Sequence, residues 1–302
     1  MDLKQLEYFV QVAEHSSFSK AASVLDVAQP ALSRQIRRLE MELKEFLFIR
    51  SGRGVVLTDA GRRLFEHSIA ILQLADRARA DLVAVHDAPV GRVVVGLPPS
   101  ITRLLTVPLV EHFKSQLPDC RLAIVEGLSS HVVEWVTSGR VDVGLAYNPD
   151  AQAGVEIAPL RREPLGLVMP KARGGKEPAG SVPFSELPKY PLIVPERMHA
   201  MRRLLENQAA HAGVRLDIAW EVSSVPSIVE LVLAGYGYAV LTASGVAASA
   251  GAGRLMLREL VAPRTTSVLC TVHSALKRPT PLSQHVMRFI RSVMDNMSKA
   301  KS

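Results

Sequence analysis

FSKAASVLDVAQPALSRQIRRLEMEL, residues 18–43, is the stretch on which the N-terminal architecture turns. From Gln29 onward it has the pattern of an amphipathic helix, and Pro30 suits a first turn, where a missing N–H costs no hydrogen bond. At about 100° per residue, Leu32, Ile36, Leu39 and Leu43 fall within about 60° of one another. Pro30, Ser33, Arg34 and Arg37 occupy about 100° of the opposite side. Ser19 is a natural N-cap for a shorter helix through Leu25, leaving only Asp26-Val27-Ala28 between the two. Two helices, a tight turn and a donor-rich outer face describe a helix-turn-helix whose second helix fits a major groove.

An ordinary helical hairpin with a solvated basic face has the same local pattern, so the flanks decide. A third amphipathic helix precedes the pair, with Leu3, Leu6, Phe9, Val10 and Ala13 at helical spacing. After the pair come Phe46–Arg50, the turn Ser51-Gly52-Arg53-Gly54, and Val55–Leu57. Strand, Gly-rich turn and strand at that place predict a wing.

Residues 1 to about 65 resemble the winged helix-turn-helix of LysR-type transcriptional regulators. The resemblance rests on LEYFVQVAEHSSFSKAA, AQPALSRQIRRLE and LFIRSGRGVVLTDAG, in that order and without gaps. It implies that Gln29, Pro30, Ser33 and Arg34 read the groove, which overlaps the outer face derived above. Ser19, Lys20, Arg37 and the wing residue Arg53 complete the expected DNA-contact set. Ala28 departs from the pattern, since similar sequences commonly carry a serine there.

The chain of 302 residues is long enough for two or three domains with real cores, and 48% hydrophobic content is ordinary for a globular protein. Its net charge of +7 is not itself a sign of DNA binding. Residues 1–88 hold 12 Lys+Arg against 12 Asp+Glu, and the excess lies in residues 89–302, with 24 against 17. That surplus fits attraction of an anionic small molecule or plain solubility. The local basic run is residues 28–53, with six bases against three acids. Cys120 and Cys270 fit neither a metal spacing nor a disulfide framework, and they read as small buried hydrophobes in a reducing, cytoplasmic protein. Residues 1–10 are charged and have no signal-peptide core.

After the wing, Thr58-Asp59 caps a long helix. Leu64, Ser68, Ile71, Ala75, Ala78, Leu82 and Val85 alternate 4-3-4-3-4-3, a seam of about three heptads. A single helix lying on its own domain is the alternative. The family resemblance implies a dimerising linker here, with Leu64, Ile71, Ala75, Ala78 and Leu82 at the seam. His86–Pro89 and Gly91 end the helix.

Strands then alternate with helices, starting from Val93–Leu97. The expected class is α/β multidomain, with mostly parallel sheets covered on both faces. The expected boundaries are 1–58 for the winged helix-turn-helix, 59–88 for the linker helix and 89–302 for an effector-binding domain. Residues 231–253 carry no formal charge, but five glycines break the run, so a helix, a turn and a buried strand explain it better than a membrane span. VVVGLPPS, EGLSSHVVEWVTSGRVDVGLAY and LVLAGYGYAVL resemble the family's effector-binding region. That implies two periplasmic-binding-protein-like subdomains, about 91–161 plus 268–298 and about 162–267. The crossings would lie near Arg161-Arg162-Glu163 and Ser267.

In open α/β sheets ligands sit beyond the carboxyl ends of strands, where helices begin. Three such ends lead into polar residues: Pro98–Ser100, Gly127–Ser129 and Val222–Val225. Free N–H groups there suit a carboxylate. Ser100, Thr102 and Ser129 add hydroxyls, although each serine also serves as a simple helix cap. The resemblance favours effector contact for Ser100 and Ser129 and supplies Pro195, Met198 and Val225 as apolar walls.

The sequence has no Gly-rich phosphate loop with lysine and no metal cluster, and its nine histidines lack ligand spacing. The expectation is therefore a non-enzymatic, cytoplasmic, effector-responsive transcriptional regulator with no cofactor. Its expected partners are double-stranded DNA at a palindromic operator, a small organic anion as inducer, itself as a dimer of dimers, and RNA polymerase where it activates. A solute sensor with a degenerate helix-turn-helix and a ligand-independent regulator remain the alternatives.

Overall fold

The computed structural model describes residues 1–51, 54–83, 91–171 and 180–299. The chain forms two compact units, the first holding Met1–Ala88 and the second Pro89–Thr137 with Val141–Ser302.

In the first unit, α1 (Leu3–His15) opens with a capping box. Gln5 N–H donates to Asp2 Oδ1 at 2.8 Å, and the Gln5 side chain accepts from Asp2 N–H at 3.0 Å. α2 (Phe18–Val24) is capped by Ser17, whose Oγ accepts from Lys20 N–H at 3.3 Å. The cap thus lies two residues before Ser19, which is exposed on the helix. α3 (Gln29–Leu43) starts from Ala28 with no side-chain cap, so the serine missing there leaves the first turn without that bond. Leu32, Ile36 and Leu39 are fully buried with Phe9, Val12, Ala21 and Leu47, each large apolar side chain contributing roughly 1.5–3 kcal/mol.

The wing is the antiparallel pair β1 (Phe48–Ser51) and β2 (Gly54–Leu57). Val55 N–H donates to Ser16 O at 3.1 Å, tying the wing to the α1–α2 turn. Gly54 lies at φ 133, and a Cβ there would come within 2.7 Å of Ser16 O, so this approach requires glycine. α4 (Asp59–Val83) starts as expected at Thr58, whose Oγ1 accepts from Gly61 N–H at 2.9 Å.

The second unit carries an eight-stranded sheet and a separate parallel pair. In chain order it comprises β3 (Gly91–Leu97), α5 (Pro99–Gln116), β4 (Cys120–Glu126), α6 (Ser129–Thr137), β5 (Val143–Tyr147) and β6 (Val155–Pro170). There follow β7 (Val182–Pro183), β8 (Leu192–Val194), α7 (Ala200–Ala212), β9 (Ile218–Glu221), α8 (Val225–Leu233) and β10 (Ala239–Thr242). α9 (Ala243–Ala247), β11 (Leu255–Val261), β12 (Thr266–Ser274) and α10 (Pro281–Lys299) complete the unit.

The sheet order is β4-β3-β5-β12-β6-β11-β7, with β10 also on β6. Only β3–β4, β3–β5, β7–β11 and β8–β9 are parallel among the described strands. β12 runs antiparallel to both β5 and β6, and β10 and β11 run antiparallel to β6. This corrects the expectation of mostly parallel sheets. β11 and β12 follow each other along one long strand, and an antiparallel return needs no crossover helix.

β6 is that strand. Its first half pairs with β12 over Val155–Pro164, and its second half pairs with β10 and β11 over Leu165–Pro170. One lobe packs Val95, Leu97, Leu105, Leu109, Leu145, Leu269 and Ile290. The other has two buried clusters, around Leu167, Phe184 and Val194 and around Ile193, Ile228 and Leu241. Residues 231–253 contribute the end of α8, β10 and α9, and among the described residues no helix is long and apolar enough to cross a membrane.

Candidate nucleic-acid interface and effector cleft

On α3, Gln29, Pro30, Arg34, Arg37 and Arg38 are exposed, and the three guanidinium groups make no ion pair among the described residues. Ser19 and Lys20 on α2 are exposed too. Ser33 is only 6% exposed, which corrects its place on the outer face. Both α1 and α2 pack on α3, so its covered side is wider than the apolar stripe alone. Arg53 lies outside the described residues. The far end of α3 is fixed by Glu40, whose Oε1 accepts from Leu47 N–H at 2.8 Å and Phe48 N–H at 3.3 Å.

Along α4, Leu64, Phe65, Ile69 and Leu72 pack on the core of their own unit, and Ser68 is buried with its Oγ donating to Leu64 O at 2.7 Å. Ile71, Leu74 and Ala78 are exposed, and Ala75 is half-buried. The side chain of Leu82 lies outside the described set. Among the described side chains the stripe left open is therefore His67, Ile71, Leu74 and Ala78, again at 4-3-4 spacing, which keeps Ile71 and Ala78 of the expected seam but not Leu64 or Ala75.

In the second unit, Ser100 is half-buried in the first turn of α5, and Ser129 is buried at the start of α6. Ser129 Oγ accepts from Tyr147 N–H at 2.9 Å. Gly127 holds that turn close beneath Trp135, since a Cβ on it would meet the indole at 2.4 Å. Thr102 turns its hydroxyl back to Pro98 O at 3.1 Å. Pro195 is buried, with its carbonyl accepting from Arg202 Nη1 at 3.1 Å. Val225 is half-buried in the α8 cluster, whereas Met198 is 62% exposed and so forms no closed wall.

The sequence reading missed the polar group where the lobes meet. Glu163 is 2% exposed; its Oε1 accepts from Ser244 Oγ at 2.6 Å and lies 3.3 Å from Arg161 Nε. The hydroxyl of Tyr147 is buried without a hydrogen bond of good geometry. Burial pushes this phenol's ionisation far up and the Glu163 carboxylate adds to the rise, whereas nearby Ser100, Arg161 and Ser244 oppose it. Tyr147 therefore stays neutral. A recess of about 280 Å³ is lined by Ser129, Ser130, Tyr147, Pro149, Asp150 and Arg203. The signal in the sequence was Arg161 and Glu163, two charges at strand spacing leading into the apolar run Leu165–Met169.

A winged helix-turn-helix with an open cationic face, joined in one chain to a two-lobed α/β domain, defines a DNA-binding regulator. Comparison with known proteins names the group: residues 3–62 match the bacterial regulatory helix-turn-helix protein, lysR family, and residues 86–295 match the LysR substrate binding domain. The chain belongs to the LysR family of transcriptional regulators, which are not enzymes. It is 32% identical to the transcriptional regulator DgdR of Burkholderia cepacia, over 97% of this chain and 95% of that one. It is 28% identical to the nitrogen assimilation regulatory protein Nac of Klebsiella aerogenes, over 99% and 97%. Full-length CbnR complexed with its target DNA is 25% identical, with a TM-score of 0.70 over 98% of this chain and 99% of that one. A full-length cysteine-to-aspartate variant of OxyR from Pseudomonas aeruginosa shares the fold at 24% identity and a TM-score of 0.70, over 97% and 94%.

Proposed function

We propose that α3 enters the major groove of a palindromic operator and that a small organic anion bound between the lobes switches the regulator. Gln29, Pro30, Arg34 and Arg37 face the bases, Ser19, Lys20 and Arg53 hold the backbone, and Ser33 supports the helix from within. The anion rests on the first turns of α5 and α6, with Ser100 and Ser129 as its hydroxyl donors.

The observation that carries the effector reading is the pair of helix first turns, with Ser100 half-buried in α5 and Ser129 buried in α6, both beside Tyr147. Polar groups in such a position make the lobe arrangement sensitive to a polar ligand. A ligand shifts the arrangement only through different affinity for its two states. The protein acts in the cytoplasm without a cofactor, as a dimer of dimers, and meets RNA polymerase where it activates. The exposed Ile71 and Leu74 of α4 support self-association.

Genome-wide mapping of binding sites tests the reading, because genes beside the operator point to a metabolite. Adding that metabolite should alter the footprint of the purified protein on the operator. A footprint insensitive to every carboxylate of the neighbouring pathway would favour a ligand-independent regulator.

A further inference from the structure

We propose that the effector carries a protonated nitrogen as well as an anionic group, and that Glu163 selects it; this rests on the cleft reading above. The strand register places the relevant side chains together. Glu163 pairs with Ser267, Arg161 pairs with Leu269, and Leu269 pairs with Tyr147, so all five project from one face of the sheet. Ser244, at the start of the short helix α9, closes over that face from the second lobe.

Within this group the two carboxylate oxygens are unequal. Oε1 is engaged by Ser244 Oγ at 2.6 Å and Arg161 Nε at 3.3 Å. Oε2 is buried and accepts no hydrogen bond among the described residues, and the buried Tyr147 hydroxyl sits beside the Ser100 and Ser244 hydroxyls without a bond of good geometry. A buried carboxylate oxygen is an acceptor only, so a ligand completes it with a donor and not with a second carboxylate, which would be repelled. Arg161 reaches this carboxylate through Nε, at 3.3 Å from Oε1, and a donor on the ligand completes Oε2, most strongly where that donor is charged.

Tyr147 links this acceptor to the anion end of the site. Its backbone N–H donates to Ser129 Oγ in the first turn of α6 at 2.9 Å, while its phenol lies beside Glu163. The proposed ligand sets its carboxylate at that turn and its ammonium at Glu163, with Tyr147 touching both positions. The class of molecule that presents both is a small aminocarboxylate, whereas a simple dicarboxylate or oxo acid lacks the donor.

The test uses the full-length protein and the common L-amino acids, each paired with the 2-oxo acid of the same side chain. Thermal shift and equilibrium titration are measured for every pair. At least one amino acid should bind tenfold or more tightly than its oxo partner, and Glu163→Gln should collapse that ratio. The wild-type ratio stands even where the variant fails to fold, and Tyr147→Phe provides a milder second variant, expected to weaken the same amino acid severalfold. Oxo acids that bind as well as, or better than, their amino partners overturn the inference while leaving the cleft reading intact. An undiminished ratio in folded Glu163→Gln also overturns it. Absence of any shift with either set overturns the inference and the cleft reading together.

Discussion

Glu40 on α3 accepts the backbone N–H of Leu47 at 2.8 Å, and with it that of Phe48 at 3.3 Å, so one carboxylate fastens the recognition helix to the start of the wing. Hydrogen bonds to charged groups contribute about 1.5–3 kcal/mol each, and an orphaned buried N–H is costly to leave. Glu40→Ala should therefore destabilise the first unit by about 2–3 kcal/mol. Glu40→Gln, which keeps an acceptor, should cost less. Urea denaturation of both variants checks this, and equal stability would mean that the wing is held from elsewhere.

Arg34 is the exposed guanidinium nearest the start of α3. Bidentate pairing with a guanine edge discriminates by about 1–3 kcal/mol, so Arg34→Ala should lose that much per half-site and relax specificity there. A charge meeting only phosphate would instead weaken all sequences alike and lower the salt slope by about one. Binding to operator and scrambled duplexes across a salt series separates the two. Unchanged affinity on both would remove Arg34 from the interface.

Assembly and folding part company along α4. Ile71 is exposed, and a carboxylate at that position is harmless until a partner helix covers it. Ile71→Asp should dissociate the oligomer while leaving the fold intact. Leu64 packs on the core of its own unit, so Leu64→Asp should lower the melting temperature first. Light scattering with circular dichroism distinguishes these outcomes, and an Ile71→Asp protein of native mass would place the interface on another face.

Local features of the chain were legible in the sequence, and long-range ones were not. The periodicity of Leu32, Ile36 and Leu39 marks α3 because it is a property of fifteen consecutive residues. The same periodicity cannot tell that α1 and α2 together cover Ser33, since that depends on how three helices pack. The heptad-like spacing of α4 likewise shows a buried stripe without naming what buries it, and Leu64 proves to serve its own unit. Tyr147, Glu163 and Ser244 meet only through the pairing of β5, β12 and β6 and the return of α9. No spacing in the sequence encodes that meeting. Strand direction was missed for a related reason, because the antiparallel return of β11 and β12 along β6 is a long-range pairing that no local period records.

Two desolvated imidazoles give the second unit an acid-sensitive stability. Burial lowers the pKa of His199, whose Nδ1 accepts from Met201 N–H at 3.2 Å at the start of α7. Burial first and the facing His285 second lower that of His112, whose Nε2 stands 2.8 Å from Nε2 of His285. The folded protein thus prefers both rings neutral, and the unfolded chain takes up protons first as pH falls. Stability is full above the unfolded value of about 6.5 and declines below it until the folded rings also protonate. His199 contributes at most about 1.4 kcal/mol per pH unit in that window, and His112, nearer to solvent and more screened, contributes less. Melting curves between pH 7.5 and 5.5, about one unit either side of the unfolded value, should show the decline. His199→Asn, which keeps an acceptor but does not titrate, should flatten part of it. A flat wild-type profile would refute the assignment.

The switch is best tested at Ser100, because the three hydroxyls near the cleft are not equivalent. Thr102 spends its hydroxyl on Pro98 O at 3.1 Å, so Thr102→Ala should leave the response to effector close to wild type. Ser129 Oγ receives the buried Tyr147 N–H at 2.9 Å, so Ser129→Ala strands that donor and should destabilise the lobe by about 1–3 kcal/mol as well as weaken binding. Ser100 is half-buried beside the Tyr147 phenol, and its hydroxyl holds no backbone group among the described residues. Removing a hydroxyl that donates to a carboxylate costs about 1.5–3 kcal/mol. In a titration this is a loss of roughly tenfold to a hundredfold in effector affinity. Ser100→Ala should therefore need that much more inducer in a reporter assay, with operator binding in the absence of inducer measured alongside. A response matching wild type would place the ligand away from the first turn of α5, whereas loss of operator binding would mark Ser100 as a structural cap.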